Sequence, residues 1–407
     1  MSIRACPPLG RFETAVALAI TVLVQTTVSL LSATVPVLAP EIAADRGWNV
    51  TLIALYPTIV FSTALLISFQ VPILLRHLGG MGLSLGCVAC SSLGLLCLLL
   101  PGALIAFSAI AIGVATGAMN PASSQILGPR TAPSNAGLIM SIKQTGVPMG
   151  AMMAGMIVPV LVLSSGWSGT VPKLAFASLG IVLALSPIVP RLNDIERLNP
   201  VARYRLLEPV KRVLAMPGML RFLVAAMAFS AMQLCLRSFF TVHLVTKVGL
   251  DFATAAVAFG ISQGAGIAGQ IFWAWISDRL LTPHAVMAIL GLLMTIGAVL
   301  TAFVTREWPI VAVELVAVIY GISAAGFIPV VLGEVARHAL PAEVGALTSG
   351  AQLFLMGGVL AGPPLFGALA ASISYAAAFL VLGGCTLAGS IVAAIPLRDQ
   401  PVPLSRG

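Results

Sequence analysis

Apolar residues in this chain run on for twenty or so positions at a time, and the polar positions between them come in short breaks. A helix of about 20 apolar residues crosses a hydrocarbon core of ~30 Å. Twelve such stretches can be drawn: 14–39, 52–75, 81–100, 103–127, 137–163, 173–190, 219–246, 253–277, 284–304, 309–332, 345–372 and 375–396. The breaks carry charge, Pro or Gly, as at Arg76–Gly80, Pro101–Gly102 and Thr305–Pro309. The pattern predicts an all-α membrane protein of twelve transmembrane helices. One long polar stretch, 191–218, interrupts it with RLNDIERLNPVARYRLLEPVKR. It is expected to be a linker, partly helical and lying at the membrane interface. The chain then reads as a six-helix bundle over 1–190, a cytoplasmic linker over 191–218 and a second six-helix bundle over 219–407.

Composition narrows the class. The 407 residues are 59% hydrophobic and 8% charged, with a mean hydropathy of +1.07, against roughly 25% charged in a soluble domain. So few charges cannot cover 41.8 kDa with a water-soluble surface, and lipid must be the solvent. The net charge of +8 is no nucleic-acid footprint, because its only cluster lies in the linker. It works instead as a topology signal. With the N-terminus in the cytoplasm, cytoplasmic segments hold fifteen of the 21 Lys and Arg and outer loops hold four (Arg46, Lys173, Lys247 and Arg306). Both termini are therefore expected in the cytoplasm. The run Thr14–Ala39 exceeds a signal-peptide core of 7–15 residues, so it is expected to stay as the first membrane helix. Arginine outnumbers lysine seventeen to four and Ala and Gly abound, which fits a GC-rich bacterial genome and an inner-membrane location. Five of the six cysteines sit in apolar runs; Cys87 and Cys90 form a CxxC with no second pair or His nearby, so they read as packing. No cofactor is expected.

The two halves repeat. A shift of 208 residues aligns Gln25 with Gln233, Gly113 with Gly321, Pro121 with Pro329, Pro133 with Pro341, Gly137 with Gly345 and Gln144 with Gln352. Six helices per repeat is an even number of crossings, so both halves have the same orientation, related by an axis along the membrane normal.

Between spans 8 and 9 stands Gly269-Gln-Ile-Phe-Trp-Ala-Trp-Ile-Ser277-Asp278-Arg279, and between spans 2 and 3 a degraded copy, Pro72-Ile-Leu-Leu75-Arg76-His77-Leu78-Gly79-Gly80. With twelve spans and the repeat, these loops make the chain resemble the major facilitator superfamily over essentially its whole length. Leu75 stands where that family usually has Asp. The run Ser141-Ile-Lys143-Gln144-Thr145-Gly146-Val-Pro148-Met-Gly150 looks like the cyanate-permease and organic-anion branches. The resemblance implies a secondary transporter, alternating access around a midplane site lined mostly by helices 1, 4, 7 and 10, and gate residues Asp278, Arg279 and Arg76.

Arg237 lies in span 7, about 4–5 Å from the midplane. A charge there faces protein or water, never lipid. Its planar fork suits a carboxylate, so it is the leading substrate-binding candidate; the alternative is an ion pair with Glu314. Gln233 shares its face one turn earlier, and Gln25 is Gln233's repeat partner; interhelical hydrogen bonding is the alternative for both. Lys143 lies about 10 Å from the midplane, where it can snorkel to the surface or serve as a second cation or gate. Gln144 and Gln352, a repeat pair, point to a shared structural role. Glu314, about 9 Å outward, is a candidate proton carrier or a partner for Arg237. Tyr56, Asn120, Tyr320 and Gln263 complete the candidate substrate-binding residues, each balanced against packing.

Two motifs are better read as packing. Gly264-Ala-Gly266-Ile-Ala-Gly269 has the form GxGxxG, but no strand precedes it and no acid follows at the right distance. Gly113/Gly117, Gly146/Gly150, Gly260/Gly264 and Gly358/Gly362 have the spacing that lets membrane helices approach closely. Gly137, Gly146, Pro148 and Gly150 partly resemble the family's antiporter signature. No Walker lysine motif, HExxH, GxSxG or EF-hand appears, which leaves no support for ATP-driven transport or an enzyme. The expected function is secondary transport of a small, carboxylate-like anion by a proton-coupled monomer in the bilayer, with a small-molecule substrate and no nucleic-acid partner. The alternatives are a proton-coupled exporter of drugs or metabolites, which would suit the Met-rich stretch Met149–Met156, and a non-transporting sensor. A sensor usually carries a large soluble domain, and no segment here is long enough for one.

Overall fold

Hydrocarbon offers no partner to a backbone N–H or C=O, so a lipid-embedded chain satisfies them within helices. The computed structural model describes residues 11–47, 49–127, 139, 142–192, 207–216, 218–338 and 344–395. Its helices are α1 (Arg11–Arg46), α2 (Val50–Ser68), α3 (Val71–Leu96), α4 (Ala106–Leu127), α5 (Gly146–Leu185), α6 (Leu207–Ala215), α7 (Met219–His243), α8 (Phe252–Arg279), α9 (Pro283–Phe303), α10 (Ile310–Arg337), α11 (Val344–Ser372) and α12 (Tyr375–Ala393).

Nine helical spans among the described residues are long and apolar enough to cross a membrane. The longest, Ile142–Ile188, holds two of the predicted spans. They are separated at Gly166, whose φ of 67° and ψ of 173° leave the helical region. Gly79 breaks α3 in the same way (φ 69°, ψ 173°), inside the predicted break Arg76–Gly80. A Cβ excludes other residues from this conformation. The second predicted span is α2 continued, after the turn at Phe69 and Gln70, by the start of α3 up to Gly79. With α2, α4 and the division at Gly166, every one of the twelve predicted spans meets a helix.

The chain divides into two compact units, Met1–Ala202 with Asp251–Gly260, and Arg203–Leu250 with Ile261–Gly407. The first turns of α8 thus belong with the first unit. There Gly155 lies so close to Ala256 and Gly260 that a Cβ on it would stand 2.6 Å from the Ala256 carbonyl and 2.5 Å from the Gly260 nitrogen. The helical part of the predicted linker that is described, α6, packs on α11 with Val213 buried and Lys211 and Arg212 exposed; residues 193–206 and the signature glycine Gly137 lie outside the described residues.

Packing follows the repeat. In the first unit α1 lies on α5 and α3 on α4; in the second, α7 lies on α11 and α9 on α10. Repeat-related glycines sit at the crossings. A Cβ on Gly150 would strike the Thr26 carbonyl of α1, and one on Gly358 would strike the Met227 carbonyl of α7. Gly113 stands against the Val60 carbonyl and Gly321 against the Ser262 carbonyl in the same manner. Bringing backbones together is what small residues accomplish where lipid and Leu are equally apolar. Gly150→Val or Gly358→Val should each lower stability by about 1–3 kcal/mol through overpacking. Gly180→Ala, with nothing within 4 Å of its Cβ, should be close to neutral. Thermal unfolding of the purified variants in detergent checks this; a Gly180→Ala loss equal to that of Gly150→Val would show that close approach is not what these glycines supply.

Candidate functional site

In the first unit, α4 and the start of the fifth span bring three candidates together. Lys143 does not snorkel: it is 2% exposed. Its Nζ donates to Asn120 Oδ1 at 2.7 Å, to Ser124 Oγ at 2.8 Å and to the Asn120 carbonyl at 3.3 Å. An ammonium has three donors, and neutral oxygens take all three. Asn120 was legible as a candidate by itself. Ser124, one turn further along α4, was not singled out, although its i+4 spacing from Asn120 could have marked it.

Gln25, 3% exposed on α1, donates from Nε2 to Gln144 Oε1 at 3.5 Å, while its Oε1 has no hydrogen-bond partner. The hydroxyls around it are mostly turned back on their own helix: Thr21 to Leu18, Thr27 to Leu23 and Thr34 to Leu30. Ser29 reaches across to the Val147 carbonyl of α5. The bond does not recur in the second unit: Gln233 is half-buried and Gln352 exposed, with no bond between them. The shared structural role expected for Gln144 and Gln352 is therefore not what the two residues have.

In the second unit, every residue of α7 from Phe229 through His243 is buried except Gln233 and Arg237, which are half-buried. They lie one turn apart on one face, a polar stripe in an otherwise buried stretch of the helix. Glu314, half-buried on α10, forms no ion pair among the described residues, so the alternative of a pairing with Arg237 is not made.

The remaining candidates are drawn into packing. Tyr56, buried on α2, shares a 2.7 Å hydrogen bond with Ser108 of α4. Tyr320 is 0% exposed, with its hydroxyl directed at Met232 Sδ (3.5 Å) and its ring edge-on to Phe240. Gln263 donates to its neighbour Ser262 at 3.2 Å.

At the α8–α9 junction, Asp278 pairs with Arg337 at 2.7 Å. Arg337 also reaches Glu334 at 3.1 Å and the Ser277 carbonyl at 3.4 Å. Glu334, 5% exposed, faces His284 Nε2 at 3.6 Å and His338 Nδ1 at 3.8 Å. The other ring nitrogen of His284 bonds the Ala393 carbonyl at 3.1 Å. Four helices, α8, α9, α10 and α12, are tied at one end by this chain of charge. The sequence reading found Asp278 and missed Arg337, Glu334, His284 and His338; the spacing Glu334, Arg337, His338 at the end of one helix was the available signal. Arg279 and Arg76 are exposed and form no ion pair among the described residues. Because Glu334 is buried and many-partnered while Asp278 is exposed, Glu334→Ala should cost on the order of 2–4 kcal/mol and Asp278→Ala less than about 1 kcal/mol. Unfolding midpoints in detergent decide it; equal losses would move the anchor of the network from Glu334 to the surface pair.

A family model described as Major Facilitator Superfamily matches residues 18–332. No curated protein matches the chain. Among solved structures, a bacterial homolog of the human lysosomal transporter Spinster is similar at 15% identity, with a TM-score of 0.73 over 93% of this chain and 95% of that one. A POT family transporter in complex with 5-aminolevulinic acid is similar at 14% identity (TM-score 0.75, 96% and 98% covered). The nucleoside transporter NupG is similar at 13% identity (TM-score 0.77, 93% and 98% covered). At such identities the likeness is one of fold.

Proposed function

Because this chain belongs to the Major Facilitator Superfamily, we propose that the solute it carries is a small anion of carboxylate type, held by Arg237 and Gln233. Membership and fold make it a multi-pass membrane protein and a secondary transporter working by alternating access, rather than an enzyme. The observation that carries the anion reading is the α7 stripe, a half-buried guanidinium one turn from a half-buried amide in a stretch, 229–243, that is otherwise buried. In a low dielectric a fixed cation favours an anion strongly, and the guanidinium fork matches two carboxylate oxygens. Gln233 brings both a donor and an acceptor to the same face. Lys143, occupied by Asn120 and Ser124, is left out of the anion's ligands. The excess of basic residues in one set of loops supports cytoplasmic termini, and the arginine-rich composition supports a bacterial inner membrane. Proton-coupled uptake by a monomer completes the reading.

A second reading, export of lipophilic compounds, draws on Met149, Met152, Met153 and Met156, of which Met156 is exposed; methionine adapts to varied apolar cargo. Proteoliposome uptake separates the two. Labelled formate, acetate, oxalate, succinate, nitrate and tetraphenylphosphonium are offered with and without an imposed proton gradient. The proposal expects gradient-stimulated uptake of at least one carboxylate, reduced roughly 10- to 100-fold by Arg237→Ala and partly restored by Arg237→Lys. Carboxylate uptake undiminished in Arg237→Ala, or movement of tetraphenylphosphonium alone, would refute it.

A further inference from the structure

The buried ammonium of Lys143 has no place among the ligands of the anion, and its surroundings suggest a task of their own. We propose that Lys143 carries the coupling proton, binding it as Nζ–H3+ and releasing it as the neutral amine within each transport cycle; this rests on the anion-uptake reading above.

A coupling group must be charged at one stage, neutral at another, and shut away from water between them. Lys143 is shut away, at 2% exposure. Its partners among the described residues are neutral oxygens of Asn120 and Ser124. Loss of the proton therefore strands no buried carboxylate, as it would in a lysine–acid pair.

The elements around it keep other charges at a distance along the chain. α1 and α3 pack on α5, and α4 holds Lys143 through Asn120 and Ser124. α4 has no ionisable residue, and α1 has none between Glu13 and Glu41. α3 offers Arg76 and His77, both exposed, and the thiols Cys87 and Cys90. Asp251, just before α8, is also exposed, and α5 itself next carries Lys173.

The cradle serves both protonation states. Ser124 now donates its hydroxyl proton to the Asn120 carbonyl at 2.9 Å while its oxygen accepts from Nζ. When Nζ gives its proton to water on the open side, the amine keeps two N–H donors and gains a lone pair. The Ser124 hydroxyl can turn from the carbonyl onto that lone pair, and the amide of Asn120 can likewise present its NH2 in place of Oδ1. A hydroxyl and an amide both donate and accept; a carboxylate in either position could only accept. Rebinding reverses the step, amine and proton giving ammonium.

The experiment uses the full chain in proteoliposomes and the labelled carboxylate with the highest wild-type uptake in the panel above. Lys143→Gln keeps a neutral group able to reach Asn120 and Ser124, and Lys143→Arg keeps a charge that does not leave at any accessible pH. Each variant is measured in counterflow exchange, which needs no net proton movement, and in accumulation driven by an imposed gradient. Wild type should accumulate up to about tenfold per pH unit for one proton per anion. Both variants should retain exchange within about threefold of wild type and fall to equal concentrations inside and outside. Glu314→Gln should accumulate like wild type. Accumulation persisting in either Lys143 variant, or loss of accumulation in Glu314→Gln, would overturn the assignment. Loss of exchange in both variants, with insertion intact, would also overturn it and make Lys143 a tie between α4 and the fifth span. If no carboxylate is taken up by wild type, the anion reading itself fails first, at the panel.

Discussion

Every feature of this protein answers to one constraint: inside hydrocarbon a polar group has only the rest of the chain to bond with. The backbone meets the constraint by coiling, and so the elements are helices. The hydroxyls of Thr21, Thr27 and Thr34 meet it by folding back on the preceding turn. The charges meet it by gathering where partners exist. Once the hydrophobic effect no longer distinguishes a helix neighbour from a lipid tail, association depends on contact distance. That is why glycines stand at the crossings of α1 with α5 and of α7 with α11.

The division between enclosed and part-exposed polar groups gives the molecule its functional map. Tyr56 and Ser108 close on each other, Tyr320 is sealed against Phe240 and Met232, and Glu334 collects an arginine and two histidines. Gln233 and Arg237 are different: neighbours on all sides are enclosed and these two retain open surface. A membrane helix that keeps a guanidinium part-exposed bears a standing electrostatic cost, and a negatively charged cargo offsets it. In the first unit the Gln25 side-chain oxygen Oε1 is buried with no hydrogen-bond partner.

How much of this could be read from residues alone depended on how local each cause is. Span positions come from composition over twenty residues, and each met a helix. The break at Gly79 fell where Arg76, His77 and the paired glycines had signalled it. The separation near Gly166 was found from the gap between two apolar runs, but the single-residue form of that break was not. Lys143 was misjudged as able to snorkel, because whether a lysine reaches water or turns inward depends on what the next helix presents, and Asn120 and Ser124 lie 23 and 19 positions away. The tie from His284 to Ala393 spans 109 residues, a pairing that no periodicity encodes.

Gly79 and Gly166 have a mechanical meaning as well. Each joins two helical segments through one non-helical residue in nearly the same backbone conformation. A joint of one residue has no slack: the segment before it cannot slide along the segment after it without breaking helical hydrogen bonds that lipid would not replace. By contrast, the stretch from Val304 to Pro309 leaves several residues of play between α9 and α10. The segments meeting at Gly79 and at Gly166 are thus bound to travel as coupled levers, and the compliance that any change of shape requires must come from the longer connections.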